Sequence, residues 1–255
     1  MIPAVEVDLG PGVVGIFTTR AGGCSPAPWD SLDLGANVGD APDRVRENRD
    51  RVARAVGGDL VLVTQVHGGD VLHVTGTEDD LTQRRADALV TTVPGVAVGV
   101  TVADCVPVLL ADAERRVVAA VHAGRAGIVA DVVEHAVDAL RGRGARALRA
   151  VVGPCVCGAC YEVSAAVQAE LVEYEPAGRA VSRWGTPALD LRAAVQARLA
   201  AAGVEDVVHV ARCTLEDAEL FSHRGAVRRA RTTGEEAVTG RSAGVVMLAR
   251  RELDG

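Results

Sequence analysis

Cys105 and His122 are the two residues whose types and spacing most directly predict chemistry. They lie at the outer ends of two apolar segments that flank the polar turn 112–115. A hairpin with a loop of two or four residues places Cys105 directly opposite His122, and directly opposed residues have Cβ atoms roughly 5 Å apart. The pair could share a metal ion or act as a nucleophile and its base. A small core cysteine beside a hydrogen-bonded strand-end histidine would give the same pattern.

His67 is the third candidate for this chemistry. It ends a segment predicted to be a strand, and Gly68 and Gly69 follow it. Strand tips and the loops beyond them carry many functional residues, because a rigid scaffold positions them. Structural roles are expected for the histidines placed within predicted strands or helices, which are His73, His135 and His209.

The segment after His122 is typical of an anion-binding site. It contains two glycines over residues 123–127 and leads into a helix predicted to start at Ile128. Such a turn exposes backbone N–H groups at the positive end of the helix dipole. We expect Arg125, which lies inside this turn, to add a charge that binds phosphate or a carboxylate.

A Cys-x-Cys-x-x-Cys run at Cys155, Cys157 and Cys160 has the appearance of a metal signature. A structural zinc site usually takes four ligands from two such clusters. The other cysteines, Cys24 and Cys213, are isolated along the chain. Reduced, partly buried thiols are therefore expected at all three positions, and a second metal site is the alternative.

Valine-rich strands and amphipathic helices must position these residues. Adjacent strands joined by short turns indicate an α+β fold, with mixed, largely antiparallel sheets in a layered sandwich flanked by helices. No shift in composition marks a boundary, so one domain is expected over residues 1–255. The predicted strands are Val13–Thr18, Leu60–Gln65, Val71–Thr75, Val96–Val102, Val106–Ala111, Val117–His122, Leu148–Val152, Val207–Ala211 and Gly244–Leu248. The predicted helices are 42–57, 128–140, 163–174 and 189–202.

Composition excludes several classes of chemistry and partner. The chain has 255 residues and a net charge of −7, and its few aromatic residues leave little surface for base stacking, so no nucleic-acid partner is expected. All 27 basic residues are arginine, which removes Schiff-base and P-loop lysines. The apolar runs are too short to span a bilayer, so no membrane partner is expected. The first ten residues lack the features of a signal peptide, so a cytoplasmic protein is expected.

Short motifs in a fixed order extend over nearly the whole chain. They are Phe17-Thr-Thr-Arg20 with Gly22-Gly23, Val38-Gly-Asp40 with Asn48-Arg49, Gln65-Val-His-Gly68, Asp87-Ala-Leu-Val-Thr91, Ala103-Asp-Cys-Val-Pro-Val108, His122-Ala-Gly124, Gly153-Pro154 with Cys160-Tyr-Glu-Val163, Cys213-Thr214, Phe221-Ser-His-Arg224 and Gly240-Arg241. With these motifs the chain resembles the laccase-domain family, the YfiH/YlmD-like proteins also called multicopper polyphenol oxidoreductases. Members of that family include purine nucleoside phosphorylases.

The resemblance implies a metal site formed by His67, Cys105 and His122, the residues that the spacing argument also selects. Three protein ligands with one open position describe a catalytic zinc site, and zinc suits a mixed nitrogen and thiolate set. The chain departs from the family at Arg125, where tryptophan is usual. Asp33 replaces a frequent asparagine.

The resemblance also implies the substrates, which are purine nucleosides and inorganic phosphate. The expected reactions are phosphorolysis of adenosine, inosine, guanosine or methylthioadenosine, and hydrolytic deamination of adenosine by a metal-activated water. The catalytic residues are then Cys105, His122, His67 and Asp104. The residues expected to contact substrate are Arg20, Gln65, Arg125, Tyr161, Glu162 and Arg224. Asp104 and Glu162 are the candidates for proton transfer, and phosphate would be held by Arg20, Arg125 or Arg224.

Three other functions stay open at this stage. Copper-dependent oxidation of polyphenols needs more histidines than the six in this chain readily provide. A cysteine hydrolase would use Cys105 as the nucleophile and His122 as its base. A zinc-binding partner protein without catalytic activity is the third. The oligomeric state is left open.

Overall fold

Two mixed β-sheets packed face to face form the centre of the molecule. The computed structural model describes residues 2–77 and 83–250, and all statements below concern this part of the chain. The strands are β1 (Ala4–Val7), β2 (Val13–Thr18), β3 (Asp59–Val61), β4 (Val71–Val74), β5 (Ala88–Thr91), β6 (Val96–Val102), β7 (Val106–Asp112), β8 (Val117–Ala123), β9 (Arg149–Val152), β10 (Arg179–Val181), β11 (Pro187–Leu189), β12 (Asp206–His209) and β13 (Ser242–Leu248). The helices are α1 (Pro42–Val56), α2 (Arg125–Val129), α3 (Val132–Arg141), α4 (Ala165–Tyr174), α5 (Leu191–Ala201) and α6 (His223–Thr233).

The six-stranded sheet has the order β12-β9-β7-β8-β5-β4, and its two central strands are buried along their whole length. Alternate residues of β7 face opposite layers. Val108 and Leu110 pack among residues of helices α3, α4 and α5, whereas Leu109 and Ala111 pack against the other sheet. Burial on both faces explains why these strands read as continuous apolar runs.

The five-stranded sheet has the order β1-β2-β13-β6-β3, so the last strand in sequence lies at its centre. Strand β13 pairs antiparallel with β2 on one side and with β6 on the other. Its outer face packs on helix α1 through Val52 and Val56. The layers are therefore helix, sheet, sheet, helix, and the expected α+β layered fold is confirmed. The single-domain organisation stays a prediction.

Helix α1 forms where its end signals predict. Pro42 occupies the first turn and Gly57 ends the helix with a left-handed backbone, φ 74°. Val45, Val52 and Val56 are buried, as the periodicity indicated. Short strands β1, β5, β10 and β11 and helix α6 are additional elements that the sequence argument did not assign.

The predicted helix 128–140 is wrong in its extent, because two helices replace it. Helix α2 begins earlier, at Arg125, and has only five residues. Asp131 then adopts a left-handed backbone, φ 59°, which interrupts the helix before α3 begins. Aspartate tolerates this conformation better than most residues, and the apolar period alone could not reveal the break.

The predicted register of the β7–β8 hairpin is also wrong, by two residues. Pro107, not Cys105, lies opposite His122, since the loop is 113–116 and not 112–115. Arg116 has φ 51° and so belongs to the turn rather than the ladder. A shift of two residues preserves the face of a strand, so Cys105 still lies near His122, just before β7 begins.

No helix in the described residues is long and apolar enough to cross a membrane.

Candidate metal centre and the adjoining cavity

The side chains of His67, Cys105 and His122 converge at one end of the six-stranded sheet. Their possible ligand atoms all lie within 4.8 Å of one another. The Cys105 Sγ lies 3.9 Å from Nε2 of His67, and the two imidazole rings meet edge to face with centroids 4.7 Å apart. His122 belongs to β8, whereas the other two residues lie in loops. The three residues named from sequence are thus brought together.

Asp87, immediately before β5, positions both histidines and is fully buried. Its Oδ1 accepts hydrogen bonds from the backbone N–H of His67, at 2.9 Å, and from Nδ1 of His122, at 2.8 Å. Its Oδ2 accepts from the backbone N–H groups of Val66 and Gly68. These donors lower the pKa of Asp87 although burial opposes its ionisation. A carboxylate bonded to Nδ1 leaves Nε2 of His122 to face the centre, an arrangement typical of metal-binding histidines.

The electrostatics favour an ionised thiolate at Cys105. Burial opposes ionisation, but His122 and His67 outweigh it and lower the pKa of Cys105 to about 6. The pKa of His122 is raised, against the effect of burial, by Cys105 and by Asp87. In the absence of a metal this describes a thiolate beside an imidazolium, and the thiolate is the form that binds metals or acts as a nucleophile.

The backbone approaches the centre closely at Gly124. A Cβ at this position would lie 2.9 Å from Cδ2 of His67 and 3.1 Å from the Sγ of Cys105. Gly124 is also the residue before α2, with an extended backbone. Glycine is therefore required here by space rather than by backbone conformation.

A cavity of about 820 Å³ opens beside the three residues. This volume lies within the range of small-molecule sites. Several strongly basic side chains lie on its wall. The lining arginines are Arg49, Arg125, Arg224, Arg228, Arg231 and Arg241. Bidentate guanidinium groups suit phosphate, so this wall can bind an anion although the whole chain is acidic.

Asp104 is placed as an anchor rather than as a proton donor. Its Oδ1 accepts from the hydroxyls of Thr214, at 2.6 Å, and Ser222, at 2.7 Å. Its Oδ2 accepts from the backbone N–H of Arg224, at 2.6 Å. Three donors hold the carboxylate in place and fix the start of α6, so this geometry supports a positioning role over the expected proton transfer.

Glu162 and Tyr161 line the cavity on the loop that follows β9. Glu162 accepts from the hydroxyl of Thr186 at 2.6 Å and from Arg228 at 3.2 Å. The guanidinium of Arg224 lies over the ring of Tyr161, 4.8 Å from its centroid. Burial raises the pKa of Tyr161, which keeps the phenol protonated. Glu162 is the carboxylate best placed to exchange a proton with a ligand in the cavity.

Gln65 lines the cavity but its amide is engaged with β6. Its Nε2 donates to the carbonyl of Thr101 at 2.8 Å, and its Oε1 accepts from the Thr101 backbone N–H at 2.7 Å. These bonds tie the loop that carries His67 to the sheet. Gln65 therefore helps to hold the His67 loop in place, in addition to any contact with substrate.

Arg125 lines the cavity, and Arg20 is absent from the residues that line it. Arg125 is paired with Glu170 of α4 at 2.6 Å. Arg20 is paired with Asp30 at 2.8 Å and stacks on the ring of Phe221. The expected contact between Arg20 and phosphate finds no support in this placement, because the guanidinium is committed elsewhere.

Several residues of this site were not predicted from the sequence. Asp87 appeared within a motif but had no assigned role, because its partners are distant along the chain. The arginines of α6, Arg228 and Arg231, and His223 also line the cavity. Arg228 and Arg231 belong to a cluster of basic residues that follows the Phe221-Ser-His-Arg224 motif, and His223 lies within that motif.

The donor set fits a divalent ion of intermediate softness. Two imidazole nitrogens and one thiolate are ligands that zinc prefers, and three protein ligands beside a cavity leave a position for substrate or water. A multicopper cluster needs more imidazoles than these two. Among the other described histidines, His223 lines the cavity but lies outside the cluster of ligand atoms. His135 is bonded to the carbonyl of Gly69, and His73 and His209 lie on the outer strands β4 and β12.

Comparisons with known proteins agree with this architecture. A family model described as multi-copper polyphenol oxidoreductase laccase matches residues 14–249. A purine nucleoside phosphorylase of Streptomyces coelicolor is 48% identical over 226 residues, covering 87% of this chain and 92% of the relative. One of Mycobacterium tuberculosis is 42% identical over 238 residues, covering 91% of each chain.

The fold also matches that of solved structures. The crystal structure of YlmD from Geobacillus stearothermophilus superposes with a TM-score of 0.81 at 31% identity, covering 94% of this chain and 93% of that one. Since the family model spans most of the described residues and the relatives match over most of their length, the chain belongs to the multi-copper polyphenol oxidoreductase laccase family.

Proposed function

We propose that this protein is a zinc-dependent purine nucleoside phosphorylase. The observation that carries the proposal is the His67, Cys105 and His122 cluster on the wall of an arginine-lined cavity of about 820 Å³. Relatives that match over most of their length bear the name purine nucleoside phosphorylase. The proposed substrates are a purine nucleoside and inorganic phosphate.

The zinc ligands would be His67, Cys105 and His122. When bound, zinc would supply a Lewis acid that polarises oxygen or nitrogen groups and lowers the pKa of water. Asp87 would hold the ring of His122 and the backbone of His67 in place, since it bonds to both. The remaining steps depend on side chains of the chain itself.

In phosphorolysis, a phosphate oxygen forms a bond to C1′ of the ribose while the bond from C1′ to the purine nitrogen breaks. The electron pair leaves with the purine, which must gain a proton. Arg125, Arg224 and Arg228 would hold the phosphate, because their guanidinium groups line the cavity. Glu162, fixed by Thr186 and Arg228, would exchange the proton with the purine.

The proposal extends to the individual nucleosides and to a second reaction. The nucleosides would be adenosine, inosine, guanosine or methylthioadenosine, and adenosine would also be deaminated by water. The large cavity and the ring of Tyr161 on its wall favour a planar aromatic base. A cytoplasmic location is part of the same proposal and can be tested by cell fractionation.

The Cys105–His122 pair keeps a second candidate function. A thiol whose pKa is lowered to about 6 beside a histidine is suited to nucleophilic catalysis. A cysteine hydrolase would form a covalent adduct on Cys105 in metal-free protein, and its turnover would survive metal removal. The zinc-dependent phosphorylase would instead lose turnover with the metal.

The test is incubation of the purified protein with each nucleoside, with and without phosphate, followed by chromatography of the products. Free base and ribose phosphate should form only with phosphate, and inosine should form from adenosine without it. Cys105→Ala should abolish both reactions. His73→Ala, on the exposed edge strand β4, is the matched control and should retain both. Release of base without phosphate, or oxygen uptake on a phenol with stoichiometric copper, would contradict the proposal.

A further inference from the structure

A second cluster of metal-ligand type lies between the loop after β9 and the segment that precedes α6. It consists of Cys157, Cys160, Cys213 and Glu216, and it is called the cysteine cluster below. One ligand atom from each residue lies within 4.8 Å of the corresponding atoms of the other three. Cys213 is far from the other cysteines in sequence, which is why the sequence argument treated it as isolated.

The backbone holds the cysteine cluster together. The N–H of Cys160 donates to the carbonyl of Cys157 at 2.9 Å, so the Cys-x-x-Cys segment forms a tight turn. An isolated parallel bridge joins Cys155 to Cys213 and sets the two segments side by side. The N–H of Cys157 then donates to the Sγ of Cys213 at 3.4 Å. Main-chain hydrogen bonds therefore hold the two segments that carry the three cysteines side by side.

The backbone after Cys213 turns back on that residue. The N–H groups of Glu216 and Asp217 donate to the carbonyl of Cys213, at 3.1 and 2.9 Å. This turn brings the side chain of Glu216 next to the sulfur of Cys213, within the cysteine cluster.

Glu216 supplies the fourth donor and has a partner that orients it. Its Oε1 is bonded to Arg183, and its Oε2 faces the Sγ of Cys157 at 3.9 Å. Arg183 also reaches the Sγ of Cys160 at 2.9 Å. A second partner that fixes a ligating carboxylate is a regular feature of metal sites. The guanidinium also offsets part of the negative charge that four ionised ligands would bring.

The cysteine cluster is accessible from one side. Two of the cysteines, Cys157 and Cys213, line an open cleft together with Glu216, so an ion can reach them from solvent.

We propose that Cys157, Cys160, Cys213 and Glu216 bind a second, structural zinc ion. Three thiolates and one carboxylate complete a closed tetrahedral set, which is the form of structural zinc sites. Thiolate-rich sites select zinc over harder cations such as magnesium or calcium. This ion would be distinct from the one at His67, Cys105 and His122, because no ligand is shared.

The second ion would join two segments that form the wall of the cavity. The loop after β9 continues from Cys160 into Tyr161 and Glu162, which line the cavity. The other segment carries Thr214 next to Cys213, and Thr214 binds the carboxylate of Asp104. Linking these segments would hold the two sides of the cavity wall in register.

The test is the zinc content of protein that has been loaded with zinc under reducing conditions and then freed of excess metal. The wild-type chain should contain two zinc ions, and Cys213→Ser should contain one. Cys24→Ser is the matched control, since Cys24 lies outside both sites, and it should contain two. Cys105→Ala should also retain one ion, at the cysteine cluster. A single ion per wild-type chain that Cys213→Ser retains and Cys105→Ala loses, or two ions in Cys213→Ser, would overturn the proposal.

Two further measurements distinguish loss of the metal site from a general folding defect of Cys213→Ser. Glu216 is exposed, so Glu216→Gln should fold normally and bind the second ion at least tenfold more weakly, as measured by competition with a chelator. Cobalt loading should give a thiolate charge-transfer band that is much weaker in Cys213→Ser than in Cys24→Ser. Unchanged affinity in Glu216→Gln would remove Glu216 from the ligand set. A Cys157–Cys160 disulfide in zinc-loaded protein would overturn the site.

Discussion

At the scale of single residues, the carboxylate of Asp87 holds both candidate histidine ligands. It accepts four hydrogen bonds, one of them from the ring of His122. The three ligands could be predicted from the motifs, because thiol and imidazole groups are typical metal ligands. The role of Asp87 could not be predicted, since its carboxylate binds the backbone of a segment that lies twenty residues earlier in the sequence.

Replacing Asp87 with asparagine should weaken zinc binding. An amide can accept at only one of the two oxygen positions, so its NH₂ would face N–H donors of the loop at His67. We expect a 10- to 100-fold loss of zinc affinity, typical when a group that orients a metal ligand is replaced, measured by chelator competition. Asp112→Asn is the matched control, because Asp112 also accepts several backbone N–H bonds but lies at the turn end of the β7–β8 hairpin, opposite the end that carries His122. Equal affinities for zinc in the two variants would contradict this role.

Removing the side chain of Arg125 should raise the apparent KM for phosphate. The charge lines the cavity, and a charge-assisted contact is worth about 1.5–3 kcal/mol, or at least a tenfold change. Zinc content should not change in Arg125→Ala, and deamination of adenosine should suffer less than phosphorolysis. Glu170→Gln, which releases the partner of Arg125, is the control and should leave the KM for phosphate no higher. Equal loss of both reactions would assign Arg125 to the nucleoside instead.

At the scale of elements, apolar patterns predicted the central strands correctly but gave no prediction for helix α6, which lacks such a pattern. Strands β6, β7 and β8 are buried on nearly every residue, so their runs of valine are unambiguous. Helix α6 has one buried residue, Ala226, and is otherwise rich in arginine, so it has no apolar stripe to detect. The cavity wall that α6 supplies was therefore the part of the site least accessible to sequence reasoning.

The connection between β8 and α2 should not tolerate a side chain at Gly124. A methyl group there would press on His67 and Cys105 at distances that real Cβ atoms rarely adopt. Gly124→Ala should therefore lose most of its zinc affinity and melt at a lower temperature, by metal analysis and calorimetry. Gly76→Ala is the control, because nothing lies within 4 Å of its Cβ position. Full zinc occupancy with wild-type affinity in Gly124→Ala would show that the centre is more open than its geometry indicates.

At the scale of the whole molecule, the net charge of the chain is negative, whereas most charged side chains on the cavity wall are positive. The chain has a net charge of −7, yet arginines line the cavity. Asp33 lies behind this wall, fully buried, and accepts from the backbone N–H groups of Gly35 and Arg241. Burial outweighs these bonds and raises the pKa of Asp33 to about 6. Its ionisation therefore works against folding at neutral pH.

The stability difference between Asp33→Asn and wild type should depend on pH with a definite sign. Between pH 4 and 6 the unfolded state loses its proton before the native state does, so wild-type stability falls as pH rises. The difference should shift in favour of asparagine by up to about 3 kcal/mol over this range and level off above it. Denaturant unfolding at several pH values measures it.

Asp112→Asn is the matched control for this pH dependence. Hydrogen bonds from backbone N–H groups outweigh burial and lower the pKa of Asp112, so its carboxylate is ionised in both states above pH 5. Its effect on unfolding should be a constant loss from pH 5 to 7. A difference for Asp33→Asn that is equally flat would show that Asp33 ionises as readily in the native protein as in the unfolded chain.

Strand β13 lies at the centre of its sheet but is synthesised after the strands that pair with it. Strands β2 and β6 leave the ribosome long before residues 242–248, yet each pairs with β13 and not with the other. During synthesis both therefore expose a long row of unpaired N–H and C=O groups, which invites association with other chains. Closure of this sheet must wait for the synthesis of residues 242–248 and rests on contacts distant in sequence, which makes folding slow. Chaperone demand during expression should be high until the final strand inserts.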